Sequence, residues 1–188
     1  MEEIVLYIDT CTKYMCVGLS KGSELVYKKQ YNAFKRQSEV AALEIDACLK
    51  ESDVKPSELT KIVVTNGPGS YTGIRIGLTL AKVMSKVLNI KLVCLSSLRA
   101  MCGLKSCSAI IDAKSKRVYY GKYNNGACVV EDCVKYVSEL DLNEEYVGET
   151  DVINVEEKEI DLIQNMFDLR NTEEVSDIDS VKAIYLKD

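Results

Sequence analysis

The sequence predicts an α/β protein whose sheet contains both antiparallel and parallel strands. Three apolar segments of strand length come first, and a helical segment follows them. Two further strand segments then alternate with helical ones, which is the order of a sheet with parallel strands. A glycine-rich turn joins one of these strands to the next helix. The chain has 188 residues, of which 47% are hydrophobic, enough for one compact unit or for two small lobes.

The elements of the first half follow from apolar periodicity and from turn residues. A hairpin turn near Gly22 separates the second and third strands. Ser38 is a candidate N-cap of the first helix, and Glu39 suits the first turn of that helix. The predicted order is βββαβαβ, with strands at residues 4–8, 15–19, 24–31, 61–65 and 91–95 and helices at residues 38–51 and 73–88.

After Ser96 the strand pattern partly restarts, which predicts a second, smaller unit. Asn124-Asn125-Gly126 is a turn signal between two strands. A helix is predicted near the end because Ile160, Ile163, Met166 and Phe167 share one face. The predicted strands lie at residues 108–112, 118–123, 128–137 and 146–148, and the helix lies at residues 160–169.

The glycine-rich turn is the most informative segment: Asn66-Gly67-Pro68-Gly69-Ser70-Tyr71-Thr72-Gly73-Ile74-Arg75-Ile76-Gly77. It is not a Walker phosphate loop, because Ile74 follows Gly73 where that motif requires lysine. A dinucleotide fingerprint needs an acidic residue about 20 positions later, and residues 59–111 contain no Asp or Glu. Glycines before a helix start suit either a phosphate cradle or a tight packing contact. Both interpretations stay open here.

The two helices of the first half carry unusual patterns. Apolar residues cover more of the first helix than one sheet would need, which suggests a second contact with another protein or with the chain's own second lobe. In the second helix the small residues Gly73, Gly77, Ala81 and Ser85 form a ridge that favours close packing on the sheet. The charge of Arg75 opposes the helix dipole and therefore hints at a contact with a nearby anion or carboxylate.

Composition excludes several kinds of chemistry. The chain contains no histidine, which removes the commonest general base, the Ser-His and Cys-His nucleophile pairs and the commonest metal ligand. Its eight cysteines never occur as C-x2-C, so a zinc site is not indicated, and we expect most of them to be small core residues. The acidic start and the lack of a long apolar run predict a cytoplasmic protein without a membrane span.

Charge is distributed unevenly along the chain. Residues 139–188 contain 16 acidic and 4 basic residues, whereas residues 1–138 contain 13 acidic and 20 basic residues. The first part could therefore face an acidic partner or nucleic acid, or simply present a solvated surface. The basic residues are scattered, which argues against direct reading of a nucleic-acid sequence.

Three segments occur in the order of a known family: Tyr7-Ile8-Asp9-Thr10-Cys11-Thr12, the glycine segment at residues 66–77, and Ile111-Asp112-Ala113-Lys114 followed by Val118-Tyr119-Tyr120. Leu95-Ser96-Ser97-Leu98 and Tyr185-Leu186 agree as well. The chain resembles the TsaB (YeaZ) family of the bacterial tRNA threonylcarbamoyladenosine machinery, over about residues 4–123. It departs from that family in its short second lobe and in Gln37, where histidine is common.

The resemblance implies a two-lobed fold of the actin-like and sugar-kinase-like type, with a ribonuclease-H-like βββαβα core in each lobe and a shortened second lobe. Residues 1–96 would form the first lobe and residues 97–188 the second, with the last residues packing back on the first. It also implies a non-catalytic subunit that supports TsaD in threonylcarbamoyl transfer to tRNA adenosine. TsaE, an ATPase, would join the complex, the free chain would form a homodimer, and tRNA would be met only through the complex.

The same resemblance assigns site residues. No catalytic residue and no metal ligand is expected, and ATP or ADP would bind only at the level of the complex. The two helices would form the partner or dimer interface, through Glu39, Val40, Leu43, Ala47, Arg75, Leu78 and Lys82. A vestigial nucleotide or phosphate loop would comprise Asp9, Thr10, Thr12, Gly67, Gly69, Ser70, Thr72, Gly73 and Asp112. Cys11 stands where nucleotide-binding relatives have glycine, and its side chain would crowd a phosphate.

An enzyme of the same fold is the alternative hypothesis. Asp9 and Asp112 would then act near Mg²⁺, with the glycine segment near the phosphates of ATP, as in a phosphotransferase or ATPase. The family was once labelled a peptidase, but this sequence offers no Ser-His pair and no metal-binding cluster to support that activity. Binding and turnover of Mg-ATP would separate the enzyme from the interaction subunit.

Overall fold

Two β-sheets form the frame of the structure, a computed structural model that describes residues 2–33 and 36–186. The first sheet contains β1 (Ile4–Asp9), β2 (Tyr14–Lys21), β3 (Glu24–Asn32), β4 (Lys61–Thr65) and β5 (Lys91–Leu95). Its spatial order is β3-β2-β1-β4-β5. β1 is antiparallel to β2 and parallel to β4, which is itself parallel to β5. The mixed sheet predicted from the sequence is confirmed.

Both faces of this sheet are buried, and side-chain alternation in β1 shows how. Leu6 and Ile8 belong to the core under the first two helices, whereas Val5 and Tyr7 belong to the core between the sheets. Successive side chains of a strand point to opposite faces, so a strand covered on both sides reads as a continuous apolar run. This explains why residues 4–8 are uniformly apolar.

Helices α1 (Gln37–Glu51) and α2 (Tyr71–Leu88) lie side by side on one face of the first sheet. α1 buries Ala41, Ile45, Cys48 and Leu49. α2 buries the ridge of small residues predicted from the sequence, Gly73, Gly77, Ala81 and Ser85. The ridge packs toward the sheet, as expected, because a Cβ on Gly77 would meet Thr10 of the β1 end and Val64 of β4.

The second sheet is a shortened copy of the first. It contains β6 (Cys107–Lys114), β7 (Arg117–Asn124), β8 (Ala127–Tyr136) and β9 (Tyr146–Gly148), in the order β8-β7-β6-β9. β9 is parallel to β6, as β4 is to β1. The place of the crossover helix between β8 and β9 is taken by a 3₁₀ turn at Val137–Glu139 and a loop.

Two short helices lie between the sheets. α4 (Leu162–Asp168) packs on the first sheet, α3 (Ser97–Cys102) packs on the second, and the two helices contact each other. Their side chains share one core with residues of both sheets. α3 was not predicted from the sequence. Its N-cap is Ser96, whose Oγ accepts hydrogen bonds from the backbone N–H groups of Leu98 and Arg99 at 3.1 and 3.3 Å.

Residues 173–186, here called the C-terminal strap, run along the first lobe beside β5 and α2. The backbone N–H of Val175 donates to the carbonyl of Leu92 at 2.8 Å, and that of Ile184 donates to Asn66 at 2.8 Å. The strap thus covers the edge of β5. An uncovered edge strand can pair with another chain and so promote aggregation. The division of the chain at residue 96 stays a prediction.

Contacts within the chain account for part of the uneven charge. Acidic residues of the last third pair with lysines of the first half in Lys13–Glu157, Lys28–Asp161, Lys86–Asp179 and Lys91–Glu174. The acidic partner of the basic N-terminal part is therefore, at these positions, the chain's own C-terminal part.

Candidate functional site

The glycine segment packs against the turn that follows β1. Gly69 has φ +152°, and a Cβ there would overlap the carbonyl oxygen of Cys11. The backbone N–H of Ser70 donates to that same carbonyl at 2.8 Å. On the other side, a Cβ on Gly67 would come within 2.6 Å of the carbonyl oxygen of Ile184 in the strap. The space that these glycines leave is filled by the chain itself.

The first turn of α2 makes an equally close contact with Thr10. A Cβ on Gly73 would overlap the carbonyl oxygen of Thr10. The Thr10 hydroxyl donates to the carbonyl of Gly73 at 2.6 Å and accepts from the N–H of Gly77 at 3.1 Å. Glycine is needed here for close approach of two backbone segments, and this geometry favours the packing interpretation of the motif over the phosphate cradle.

Asp9, at the end of β1, is completely buried. One carboxylate oxygen accepts from the Thr65 hydroxyl at 2.5 Å and from the N–H of Cys11 at 3.2 Å, and the other accepts from the Thr12 hydroxyl at 2.7 Å. Burial raises the pKa of this carboxyl, although the hydrogen bonds oppose the shift. A cation from solvent therefore cannot contact the Asp9 carboxylate unless the turn after β1 opens.

The raised pKa of Asp9 predicts a pH effect on stability. Because the folded state holds the proton more tightly than the unfolded chain, stability falls as pH rises from the ordinary carboxyl range through the raised pKa. We expect urea unfolding of wild type and of Asp9→Asn, measured from pH 4 to pH 8, to show a steeper fall in wild type, since other carboxyls with a raised pKa, such as Glu149, titrate in both proteins. The wild-type advantage over the variant should shrink with rising pH and then level off; an advantage that grows would contradict the prediction.

A cleft of about 630 Å³ lies between the lobes beside the β1–β2 turn. Of the predicted loop residues it brings together Thr12, Gly69, Ser70, Thr72, Gly73 and Asp112, whereas Asp9, Thr10 and Gly67 do not line it. Its lysines are paired with acids: Lys13 with Glu157 and Lys114 with Asp112. Such pairing leaves little positive potential for a polyphosphate.

Two carboxyls of the cleft have shifted pKa values. Burial raises the pKa of Glu149, one oxygen of which accepts from the N–H of Asp112 at 2.9 Å. Burial also acts on Asp112, but the hydrogen bonds from Lys114 outweigh it and lower the pKa of that carboxyl. Within the described ranges, no group of three or more His, Cys, Asp or Glu residues is placed to hold a metal ion.

The outer side of α1 and α2 is exposed and carries large apolar side chains among polar ones. It is here called the helix-pair face and comprises Glu39, Ala42, Leu43, Tyr71, Arg75, Thr79, Val83 and Val87. Leu43 is 67% exposed, Val83 55% and Val87 78%. A groove of about 430 Å³ runs between the helices, lined on α1 by Ala41 and Ala42 and on α2 by residues that include Tyr71 and Arg75. Large apolar side chains gathered on one surface mark an interaction site.

The predicted interface residues are distributed unequally on this surface. Glu39, Leu43 and Arg75 are exposed, whereas Val40 and Ala47 are half-buried. The assignment of Leu78 is corrected, because this side chain is 6% exposed and packs in the core under α2. Lys82 is not on the free face either, since its Nζ donates to the strap carbonyls of Asp179 and Val181 at 3.3 and 3.0 Å.

Sequence reasoning missed Val83 and Val87. They lie four residues apart on α2, and each is exposed beside the polar positions of the same face. That apolar i, i+4 pair was the available signal. Among the described residues, no carboxylate forms an ion pair with Arg75; its guanidinium lies 5.4 Å from the centre of the Tyr71 ring and donates to the Tyr71 hydroxyl at 3.1 Å.

The fold and the site define the class of protein. Two lobes with sheets of matching strand order enclose a cleft beside the first hairpin, which is the arrangement of actin-like proteins. A family model described as TsaD, tRNA N6-adenosine threonylcarbamoyltransferase, matches residues 31–168. The chain belongs to the family of that model and, within it, to the TsaB (YeaZ) group.

One relative named TsaB agrees with this membership, and a second relative, whose name states no function, matches nearly the whole chain. The tRNA threonylcarbamoyladenosine biosynthesis protein TsaB of Bacillus subtilis is 36% identical over 65% of this chain, and the match spans 56% of that relative's length. An uncharacterized Mycoplasma pneumoniae protein is 26% identical over 97% of this chain and 94% of its own length.

A solved structure supports the fold. A Pseudomonas aeruginosa protein described as similar to peptidase YEAZ superposes with a TM-score of 0.83 at 18% identity, over 98% of this chain and 100% of that one.

Across residues 2–33 and 36–186, none of the helices has the length and hydrophobicity that a membrane crossing requires.

Proposed function

We propose that this chain is a non-catalytic subunit of threonylcarbamoyladenosine synthesis on tRNA, and that its helix-pair face binds a TsaD-type catalytic subunit. The observation that carries the proposal is the exposed apolar surface of α1 and α2, with Leu43, Val83 and Val87 open to solvent. Burying such side chains against a partner helix would contribute about 25 cal/mol per Å² of apolar surface removed from water.

The name of the Bacillus relative supports a role in this pathway, although the matched region covers little more than half of that protein. The lack of histidine supports a non-catalytic role, because the commonest bases and metal ligands are missing. We propose further that the free chain pairs with a second copy through the same face, that a TsaE-type ATPase joins the complex, and that tRNA is met through the complex.

Light scattering on a size-exclusion column tests the proposal. The chain alone and the chain mixed with the TsaD-type subunit of the same organism would be run at tens of micromolar. We expect a one-to-one heterocomplex to form and to displace any homodimer, since both use one face. Failure to form a complex at these concentrations would contradict the proposal.

The enzyme hypothesis makes a different prediction for Mg-ATP. Because Asp9 is buried and the glycine segment is filled by Cys11 and Thr10, we expect no micromolar binding and no turnover by the isolated chain. Titration calorimetry with ATP and Mg²⁺ measures this directly, with a catalytically competent ATPase as positive control. Micromolar binding together with hydrolysis would support the alternative phosphotransferase or ATPase instead.

A further inference from the structure

The C-terminal strap crosses the side of α2, and its last described residues lie beside the helix-pair face. It contains no regular helix or strand in the part of the chain that the structure describes. The side chains of Val175, Ile178, Val181 and Ala183 are half-buried against the core under α1 and α2. Two backbone hydrogen bonds, at Val175 and Ile184, hold the strap near its two ends.

The strap accepts hydrogen bonds from Lys82 and Asn66, and it also makes ion pairs at the surface that are individually weak. Lys86 pairs with Asp179, and Lys91 pairs with Glu174 at 2.9 Å, and all four side chains are more than a third exposed. Exposed ion pairs contribute little to the free energy of folding, and salt screens them. A segment held in this way opens at a lower free energy than the sheet beneath it.

The last described part of the strap reaches the groove of the helix-pair face. The ring of Tyr185 stacks on that of Tyr71, with the ring centres 5.1 Å apart and an angle of 29° between the planes. Arg75 donates to the hydroxyl of the same Tyr71. Both Tyr71 and Arg75 line the groove between α1 and α2. The strap therefore supports one wall of that groove through the stacking of Tyr185 on Tyr71.

We propose that Tyr185 is a positioning residue for partner binding: it holds Tyr71 and Arg75 in the orientation that the partner meets, so that seating of the strap and binding of the partner are coupled. The inference rests on the proposed function of the helix-pair face and adds its regulation. Coupling is reciprocal, so partner binding must also tighten the strap.

Substitution of Tyr185 tests the coupling. We expect Tyr185→Ala to weaken binding of the TsaD-type subunit by roughly three- to tenfold, the range of one aromatic pair. Tyr185→Phe keeps the ring and should bind as wild type does. In a Tyr71→Ala background Tyr185→Ala should cost nothing more, because the effect passes through Tyr71. Additive losses would overturn the positioning role.

Hydrogen exchange tests the reverse direction. We expect partner binding to slow exchange of the Val175 and Ile184 amides, which face Leu92 and Asn66 and lie off the helix-pair face. Unchanged exchange in a saturated complex would overturn the coupling. Charge reversal adds a control: Asp179→Lys should speed exchange and weaken binding, and Asp179→Lys combined with Lys86→Glu should restore both.

The two proposals fail in different ways. If Val83→Asp on the helix-pair face abolishes binding while Tyr185→Ala leaves the affinity unchanged, the coupling is wrong and the proposed function stands. If Val83→Asp leaves binding unchanged, or if wild type forms no complex with the TsaD-type subunit, the proposed function fails and the coupling falls with it.

Discussion

Replacing Val83 with aspartate should lower the affinity for the TsaD-type subunit by at least about thirtyfold. Val83 is 55% exposed in the second half of α2, within the face proposed to bind the partner. A carboxylate in that position would be buried without a partner, which costs far more than the lost apolar contact. Titration calorimetry or surface plasmon resonance against the TsaD-type subunit measures the change.

The chain offers a closely matched control for this substitution. Val129 on β8 is 56% exposed, nearly the same as Val83, but lies in the second sheet. Val129→Asp should leave the affinity within about twofold of wild type. Urea unfolding of both variants checks that each is folded. Equal losses from both substitutions would mean that the helix-pair face is not the specific interface.

Gly73→Ala should lower the free energy of unfolding by about 2–4 kcal/mol, the combined cost of overpacking and of a lost hydrogen bond. Alanine within a helix is normally more stable than glycine by about 1 kcal/mol. Here the sign reverses, because the added Cβ would overlap the carbonyl oxygen of Thr10 and force α2 away from the end of β1. Urea unfolding followed by circular dichroism measures the loss.

Gly22→Ala provides the comparison for this prediction. Gly22 lies in the β2–β3 turn with φ +57°, and a Cβ there would meet nothing closer than 3.4 Å. Gly22→Ala should therefore lower the free energy of unfolding through backbone strain alone, by about 1–2 kcal/mol. If Gly73→Ala proves as stable as wild type, α2 and Thr10 are not in close contact. The packing interpretation of the glycine segment would then fail.

Local sequence patterns determined most of the secondary structure. Apolar runs and turn residues placed every strand of both sheets, and helical spacing placed α1, α2 and α4 within about two residues of their observed ends. α3 was missed for a physical reason. It has six residues, and five of them are buried, so it lacks the polar face that makes a helix visible in a sequence.

The order of motifs along the chain also indicated the family and the fold class, because several specific residue motifs seldom occur in one order by chance. The ridge of small residues on α2 predicted close packing correctly, since spacing by four residues fixes which side chains share a face. The spacing of residues does not show which face of a helix stays exposed in the folded protein. Leu78 was assigned to the interface and is buried, whereas Val83 and Val87 were passed over and are exposed.

The tertiary structure alone supplied the contacts that favour the packing interpretation of the glycine segment, and it gave the contacts of the strap. Whether Gly69 and Gly73 meet a phosphate or a backbone carbonyl depends on residues more than 50 positions earlier, at Thr10 and Cys11. The partners of Lys82 and Lys86 lie more than 90 residues away along the chain. Sequence periodicity reports the local conformation of a segment, but burial and pairing are set by neighbours that only folding brings together.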